Sequence, residues 1–345
     1  MFFKPKLKDA VVTTPSVIGR LLKSIYSISF LMLALLLSVY GSSSEAQIDK
    51  PMRLMVGFPA GGGTDALARL LAARLSTELG VSVVVENKPG AGGQIAAQYL
   101  KSVGSDGYTL FLSHDHTISI LPLVMKTPGF DVEADFVAVA GVASFVNAFA
   151  LSSGTSAQGF NDYINLVKSK PGKKGSVGIP APASTLEFLV KTLAKRYELD
   201  LLSVPYKGSA PMMADMLGNQ IEAGSASVPD FIEFHQAKKL RIVAVMGATR
   251  QASLPDVPTF KELGINGFED LPFYGVFAAK DAPPAILNQV SKALEKVVAK
   301  PDVKEQFASM GLSPDYLTAS QLQTRERSYS SAWAKIIKES GYQPN

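Results

Sequence analysis

The chain has 345 residues, 34 Lys+Arg against 30 Asp+Glu, and no cysteine. That length is enough for two ordinary domains with cores of their own. The lack of cysteine excludes thiolate chemistry and cysteine metal sites, and it suits an oxidising compartment.

The first 46 residues read as a targeting segment. Lys4, Lys6, Lys8, Arg20 and Lys23 precede an apolar run from Ile25 to Val39. Ser44-Glu45-Ala46 then places small residues at −3 and −1 for signal-peptidase cleavage before Gln47. The rival is a membrane anchor, but the run is about 15 residues, short of the ~20 a spanning helix needs. With the leader removed, 29 basic and 28 acidic residues remain. The basic balance therefore belongs to the leader and gives no argument for nucleic-acid binding.

Met52 to Phe58 is a short alternating apolar run and predicts a strand. Phe58-Pro59-Ala60-Gly61-Gly62-Gly63-Thr64-Asp65 follows, then a helix over Ala66 to Leu79 on the spacing of Leu67, Leu70, Leu71, Leu75 and Leu79. Thr64 or Asp65 is the expected N-cap. Glycines let the backbone come close to a ligand, and the unpaired first-turn amides carry partial positive charge. Such a junction seats an anion; the same pattern also describes a tight turn before a capped helix.

Farther along, strands are expected at Ser82–Glu86, Tyr108–Ser113, Ser176–Ile179, Leu201–Tyr206, Ile221–Ser225 and Leu240–Met246. Helices are expected at Gln94–Val103, Phe160–Ser169 and Thr185–Tyr197, with short helices between the later strands. The last 60 or so residues read as helical over Ala285–Ala299, Val303–Met310 and Ser320–Ser340. Repeated βα units imply parallel sheets covered by helices, with ligands beyond the carboxyl ends of the strands. A second junction, Pro180-Ala181-Pro182-Ala183 before Ser184-Thr185-Leu186-Glu187, carries a capping-box pattern. Two helix N-termini facing one cleft would suit a ligand with two anionic groups.

Several segments taken together resemble the periplasmic substrate-binding proteins of tripartite tricarboxylate transporters, the Bug family. They are Phe58 to Asp65, VVVENKPGAGG at 83–93, DGYTLFL at 106–112 and VPYKGSAPMMADMLGNQIE at 204–222. KLRIVAV at 239–245, LPDVPTFKELG at 254–264 and FYGVFA at 273–278 complete the series. The resemblance implies an α/β fold of two lobes that close like a flytrap, with a parallel-rich sheet in each lobe and the cleft between them. Crossovers are expected near Phe145–Leu151 and Leu271–Phe277. Lobe 1 is then discontinuous, 47–147 plus 272–345, and lobe 2 is 148–271. The implied ligands are small carboxylates or amino acids. The implied partners are membrane transporter subunits; a monomer without cofactor, metal or nucleic acid is expected, and no catalysis.

Mapped onto this chain, the resemblance implies ligand contacts from Phe58, Ala60, Gly61, Gly62, Thr64 and Asp65 and from Ser113, His114, Asp115 and His116. Lobe 2 would supply Ala183, Ser184, Thr185, Tyr206 and Ser227, and the second crossover Phe273. The chain departs from the family pattern in two places. The turn after Leu112 reads Ser113-His114-Asp115-His116-Thr117 where small hydroxylated residues are common. The lobe 2 turn holds prolines and Glu187 where glycines and a histidine are common. Asp115 either faces the cleft, where it accepts an ammonium and repels a carboxylate, or caps the following turn. Two imidazoles and one carboxylate are a weak metal set.

The rival class is a secreted α/β enzyme, an oxidoreductase or a hydrolase. Gly90-Ala91-Gly92-Gly93-Gln94 faintly resembles a dinucleotide fingerprint. Pro89 interrupts that junction, and no clear acidic residue follows at the usual distance. No Gly-x-Ser-x-Gly elbow is present for a hydrolase.

Overall fold

Half of each sheet is parallel and half antiparallel, and this division places the cleft. In the computed structural model, which describes Met1 and residues 48–344, β1 (Met52–Val56) pairs in parallel with β2 (Val83–Asn87) and β3 (Thr109–His114). Helices α1 (Gly63–Leu79) and α2 (Gln94–Ser102) make the crossovers. Apart from Met1, the expected leader falls within residues 2–47, which lie outside the described residues. α1 forms because Leu67, Leu71 and Leu75 recur every fourth residue and are fully buried against the sheet. It ends at Gly80, which takes a left-handed conformation and bonds back to Ser76.

β4 (Phe136–Ser144) is the next strand, and only Phe145 and Val146 separate it from β5 (Asn147–Ser152). β4 belongs to the first sheet and β5 to the second, so the chain changes sheet across those two residues. The second sheet alternates β6 (Lys174–Ile179), β7 (Asp200–Pro205), β8 (Ala223–Ser227) and β9 (Leu240–Val245) with helices. These are α3 (Phe160–Ser169), α4 (Thr185–Tyr197), α5 (Ser209–Leu217) and α6 (Val228–Gln236). The chain returns to the first sheet through β10 (Phe273–Ala279), then α7 (Pro284–Ala299), α8 (Pro301–Ser309), β11 (Ser313–Thr318) and α9 (Ala319–Glu339). The strand orders are β11-β4-β10-β3-β1-β2 and β7-β6-β8-β5-β9.

The expected parallel richness thus holds for one half of each sheet. β10 runs antiparallel to both β3 and β4, β11 antiparallel to β4, and β5 antiparallel to both β8 and β9. The cause is the crossovers: β5 and β10, which receive the chain from the other sheet, enter from the cleft side and run against the βα strands. The sequence reading missed β4, β5, β10 and β11, whose residues are near-uniformly apolar or lie beside the helical tail. Neither pattern shows a clean period of two.

The terminal helix ties the lobes together. α9 buries Leu322, Tyr329, Trp333 and Ile337. Trp333 packs 5.8 Å from Phe188 of α4, which follows a strand of the second sheet. Among the described residues, no helix is long and apolar enough to cross a membrane.

Candidate functional site

Loops at the carboxyl ends of β1, β3, β6 and β8 converge on one cavity of about 60 Å³. A water needs ~10–15 Å³ on this measure, so the space suits only a small ligand. From lobe 1 come Phe58, Gly62, Thr64, His114, Asp115, His116 and Tyr274, and from the crossover Phe145 and Asn147. Pro180, Ala181, Ser184, Thr185, Leu186, Ser209, Ser227 and Asp230 close the other side.

The glycine-rich loop is braced from within. Asp65, at the third position of α1, turns back to accept the Gly61 amide at 3.0 Å; it also takes Arg69 at 2.9 Å and Asn87 at 2.9 Å. Burial pushes its carboxyl up, but the Arg69, Gly61 and Asn87 hydrogen bonds and the Arg69 charge outweigh this and hold it below its ordinary value. The cap is Gly62, not Thr64 or Asp65, and it has no side chain to offer the helix. Asp65 is therefore a brace of the loop and does not line the cavity. Ala60 and Gly61 are exposed and also stand outside it.

The first amide of α1 is already engaged. Gly63 N–H donates to Asp230 Oδ1 at 2.8 Å, across the cleft. The same carboxylate accepts the Ser209 hydroxyl at 2.6 Å, the Ser227 hydroxyl at 2.6 Å and the Ser227 amide at 3.2 Å. An acidic side chain of lobe 2 thus sits where a ligand anion was expected on α1. The two lobes touch here. A Cβ on Gly63 would stand 2.8 Å from Pro229 Cβ, and one on Gly208 would stand 2.5 Å from the Pro59 ring.

The α4 N-terminus is arranged differently. Ser184 does not cap it: its hydroxyl donates to the Ala181 carbonyl at 2.9 Å. Glu187 instead accepts the Ala183 amide at 2.7 Å. The capping box expected at Ser184–Glu187 is therefore displaced by one residue. Ala183 is held in a left-handed conformation, φ +52°, behind the cavity wall. Glu187 N–H donates to the Ser184 carbonyl at 3.0 Å, while no side chain caps the Thr185 and Leu186 amides at the start of α4. Ser184, Thr185 and Leu186 line the cavity there, and the buried Thr185 Oγ1 lacks a hydrogen-bond partner.

An aromatic frame forms the lobe 1 wall. Phe58 stacks on His114 at 4.8 Å, and Phe145 and Tyr274 meet the same imidazole edge-on at 6.0 and 5.7 Å. Tyr274 Oη lies 3.3 Å from Thr64 Oγ1. Burial, with Asp230 nearby, raises the Tyr274 hydroxyl above its ordinary value, so it stays a hydrogen-bond donor. His116 is buried with both ring nitrogens unpartnered; burial and the neighbouring His114 lower it to about 4, against the opposing pull of Asp115. It is neutral near pH 7.

Asp115 does not cap the π-helical turn His116–Ile120 that it precedes. It lines the cavity, is 3% exposed, and accepts the Tyr329 hydroxyl of α9 at 3.0 Å. Of the two sequence readings for Asp115, the cleft-facing one matches this placement.

Three further residues fall away from the cavity. Tyr206 donates to Asp215 at 2.7 Å on the far side of its loop, and burial together with that carboxylate raises its hydroxyl to about 12. Ser113 and Phe273 point opposite to His114 and Tyr274, because neighbouring residues on a strand face opposite sides of the sheet. Phe273 packs edge-on against Tyr329 at 5.8 Å. In the FYGVFA segment the expected contact Phe273 has the wrong parity, and its neighbour Tyr274 lines the cavity. Sequence reasoning also missed Phe145, Asn147, Ser209 and Asp230. Asn147, a lone amide within the apolar run Phe145–Leu151, was the one readable signal.

Gly90–Gly93 serve close packing. Gly93 Cα would lie 2.8 Å from a Cβ on Gly57, and a Cβ on Gly93 would strike Thr117 Oγ1.

Residues 67–342 match the model of the tripartite tricarboxylate transporter family receptor. Protein BugT of Bordetella pertussis is 30% identical over 300 residues, covering 87% of this chain and 92% of BugT. A solved periplasmic transporter superposes with a TM-score of 0.82 at 32% identity, covering 87% of this chain and all of that one. The R. palustris protein Rpa4515, solved with adipate, gives 0.81 at 28% identity, over 86% and 99% of the two chains. The matched family is one of transporter receptors, and the rival enzyme class finds no support in it. The chain belongs to the tripartite tricarboxylate transporter receptor family, the Bug-type solute-binding proteins.

Proposed function

We propose that the protein is a periplasmic receptor that closes two lobes over a small carboxylate and delivers it, unchanged, to the membrane subunits of a tripartite transporter. The observation that carries this reading is the cavity walled from both sheets, with the uncapped first turn of α4 opening into it. A carboxylate there would meet the Thr185 and Leu186 amides and the favourable end of the helix dipole. In this reading residues 1–46 are removed on export. Lobe 1 comprises 47–147 and 272–345, and lobe 2 comprises 148–271. Thr185, Ser184 and Leu186 hold the carboxylate, while Phe58, Thr64, His114 and Tyr274 enclose the rest. Closure is driven by contacts the ligand makes only when both walls are present.

The test is a melting-shift screen of the protein lacking its leader against mono-, di- and tricarboxylates and amino acids. Adipate is included because Rpa4515 was solved with it. One small carboxylate should raise the melting temperature and be recovered intact by NMR. At 100 times its dissociation constant, that ligand should add about 2.7 kcal/mol of stability. Turnover of the ligand by purified protein would overturn the reading.

A further inference from the structure

The cavity contains two carboxylates, Asp115 and Asp230, and neither Lys nor Arg lines it. The two carboxylates are not equivalent. Asp230 accepts four hydrogen bonds, from Gly63, Ser209 and Ser227, and is complete without a ligand. Asp115 accepts one, from Tyr329. A carboxylate offers about four acceptor positions. The nearest imidazole, His114, stands with Nδ1 3.4 Å from Asp115 Oδ1. That Nδ1 also accepts the His116 amide at 3.4 Å. His116 is neutral. The Asp115 carboxylate is therefore buried at the cavity wall with most of its acceptor capacity unused, an arrangement that costs free energy unless a donor arrives.

The seats for ligand carboxylates are also unequal. The first amide of α1 is taken by Asp230, whereas the Thr185 and Leu186 amides of α4 carry no side-chain cap. A second ligand carboxylate would enter a cavity lined by two acidic side chains and by no Lys or Arg.

We propose that this receptor selects a ligand with one carboxylate and one cationic amine, the carboxylate on the α4 first turn and the amine against Asp115. The inference rests on the carboxylate-receptor reading given above and narrows it. Asp115 is then the residue that sets selectivity, and a plain dicarboxylate is the disfavoured shape. An ammonium supplies three donors to a carboxylate that has one. A second carboxylate would meet a like charge at close range in a poorly hydrated space.

The experiment uses matched pairs that differ only in one end group: succinate with β-alanine, glutarate with 4-aminobutyrate, and α-amino acids with the corresponding 2-substituted dicarboxylates. Each is titrated into the leaderless protein by melting shift and calorimetry. The expected binders are the amine-bearing members, at least tenfold tighter than their dicarboxylate partners. Asp115→Asn, close to isosteric, should cut the amine ligand's affinity at least tenfold and narrow the gap within the pair. Tighter binding of the dicarboxylates, or equal loss for both members in Asp115→Asn, overturns the selectivity assignment while leaving a carboxylate receptor in place. The wild-type pairs alone decide this if the variant does not fold. No binding by any member of either series overturns the carboxylate reading itself.

Discussion

Gly63→Ala separates folding from closure. Gly63 is the first residue of α1 and has no left-handed backbone angle, so alanine fits the loop conformation. Within the helix, alanine is favoured over glycine by roughly 0.5–1 kcal/mol. The added Cβ, however, would stand 2.8 Å from Pro229 Cβ, 3.2 Å from the Pro229 carbonyl carbon and 3.2 Å from Asp230 Oδ1. Carbon pairs settle at about 3.5–4.0 Å. All three atoms belong to the other lobe, and two are held by the proline ring and backbone, so relief requires the lobes to part. Parting lengthens the Gly63–Asp230 bond of 2.8 Å. A hydrogen bond to a charged group contributes about 1.5–3 kcal/mol, and 1.4 kcal/mol is a factor of ten. The closed state should therefore lose about 10- to 150-fold in population, and apparent affinity should fall with it. The assay is calorimetric titration with the tightest carboxylate from the screen, with a spin-label distance across the cleft. Melting of the ligand-free variant should be unchanged or slightly higher. Wild-type affinity and a wild-type cross-cleft distance in Gly63→Ala would refute the closure argument.

Other substitutions probe single features. Tyr274→Phe should weaken ligand binding by about 1 kcal/mol through the lost hydroxyl while keeping the fold, whereas Phe273→Ala should destabilise by about 3–5 kcal/mol as a core deletion; urea denaturation beside titration distinguishes the two. Asp65→Ala should loosen the glycine-rich loop and cost about 2 kcal/mol or more in urea unfolding, since three donors lose their acceptor. Because the Asp65 carboxyl is held below its ordinary value, its contribution is present above about pH 4 and is lost as pH falls below that. His116 acts at higher pH. Its folded value, about 4, lies below the ordinary 6.5, so the unfolded chain binds the extra proton between them. Stability should fall by about 3 kcal/mol as pH drops from 6.5 to 4, at ~1.4 kcal/mol per unit. His116→Asn should flatten that limb, and an unchanged limb would show that another group titrates there.

The βα units were legible because their helices carry one apolar stripe each. Phe160–Ser169 and Thr185–Tyr197 have the bounds that their periodicity predicts. The crossover strands were not legible. β5 is buried along its whole length, so it has no polar alternation to announce it. At the site, the loop positions could be read from glycine, proline and helix-start chemistry. What could not be read was which amides remain available. That depends on Asp230, 167 residues from Gly63, reaching across the cleft, and on Ser184 turning to Ala181 instead of capping its own helix. The parity error at Phe273 and Tyr274 has the same origin: a buried strand offers two aromatic neighbours, and only the sheet decides which one faces the cleft.

The central claim is that a small carboxylate sits between the sheets on the first turn of α4. A crystal structure with the most stabilising ligand of the screen tests it directly. The account predicts a ligand carboxylate oxygen within about 2.7–3.2 Å of the Thr185 or Leu186 amide, with Phe58 and Tyr274 closed over the other side. A ligand bound elsewhere, or held in this cleft with its carboxylate turned away from α4, would contradict it.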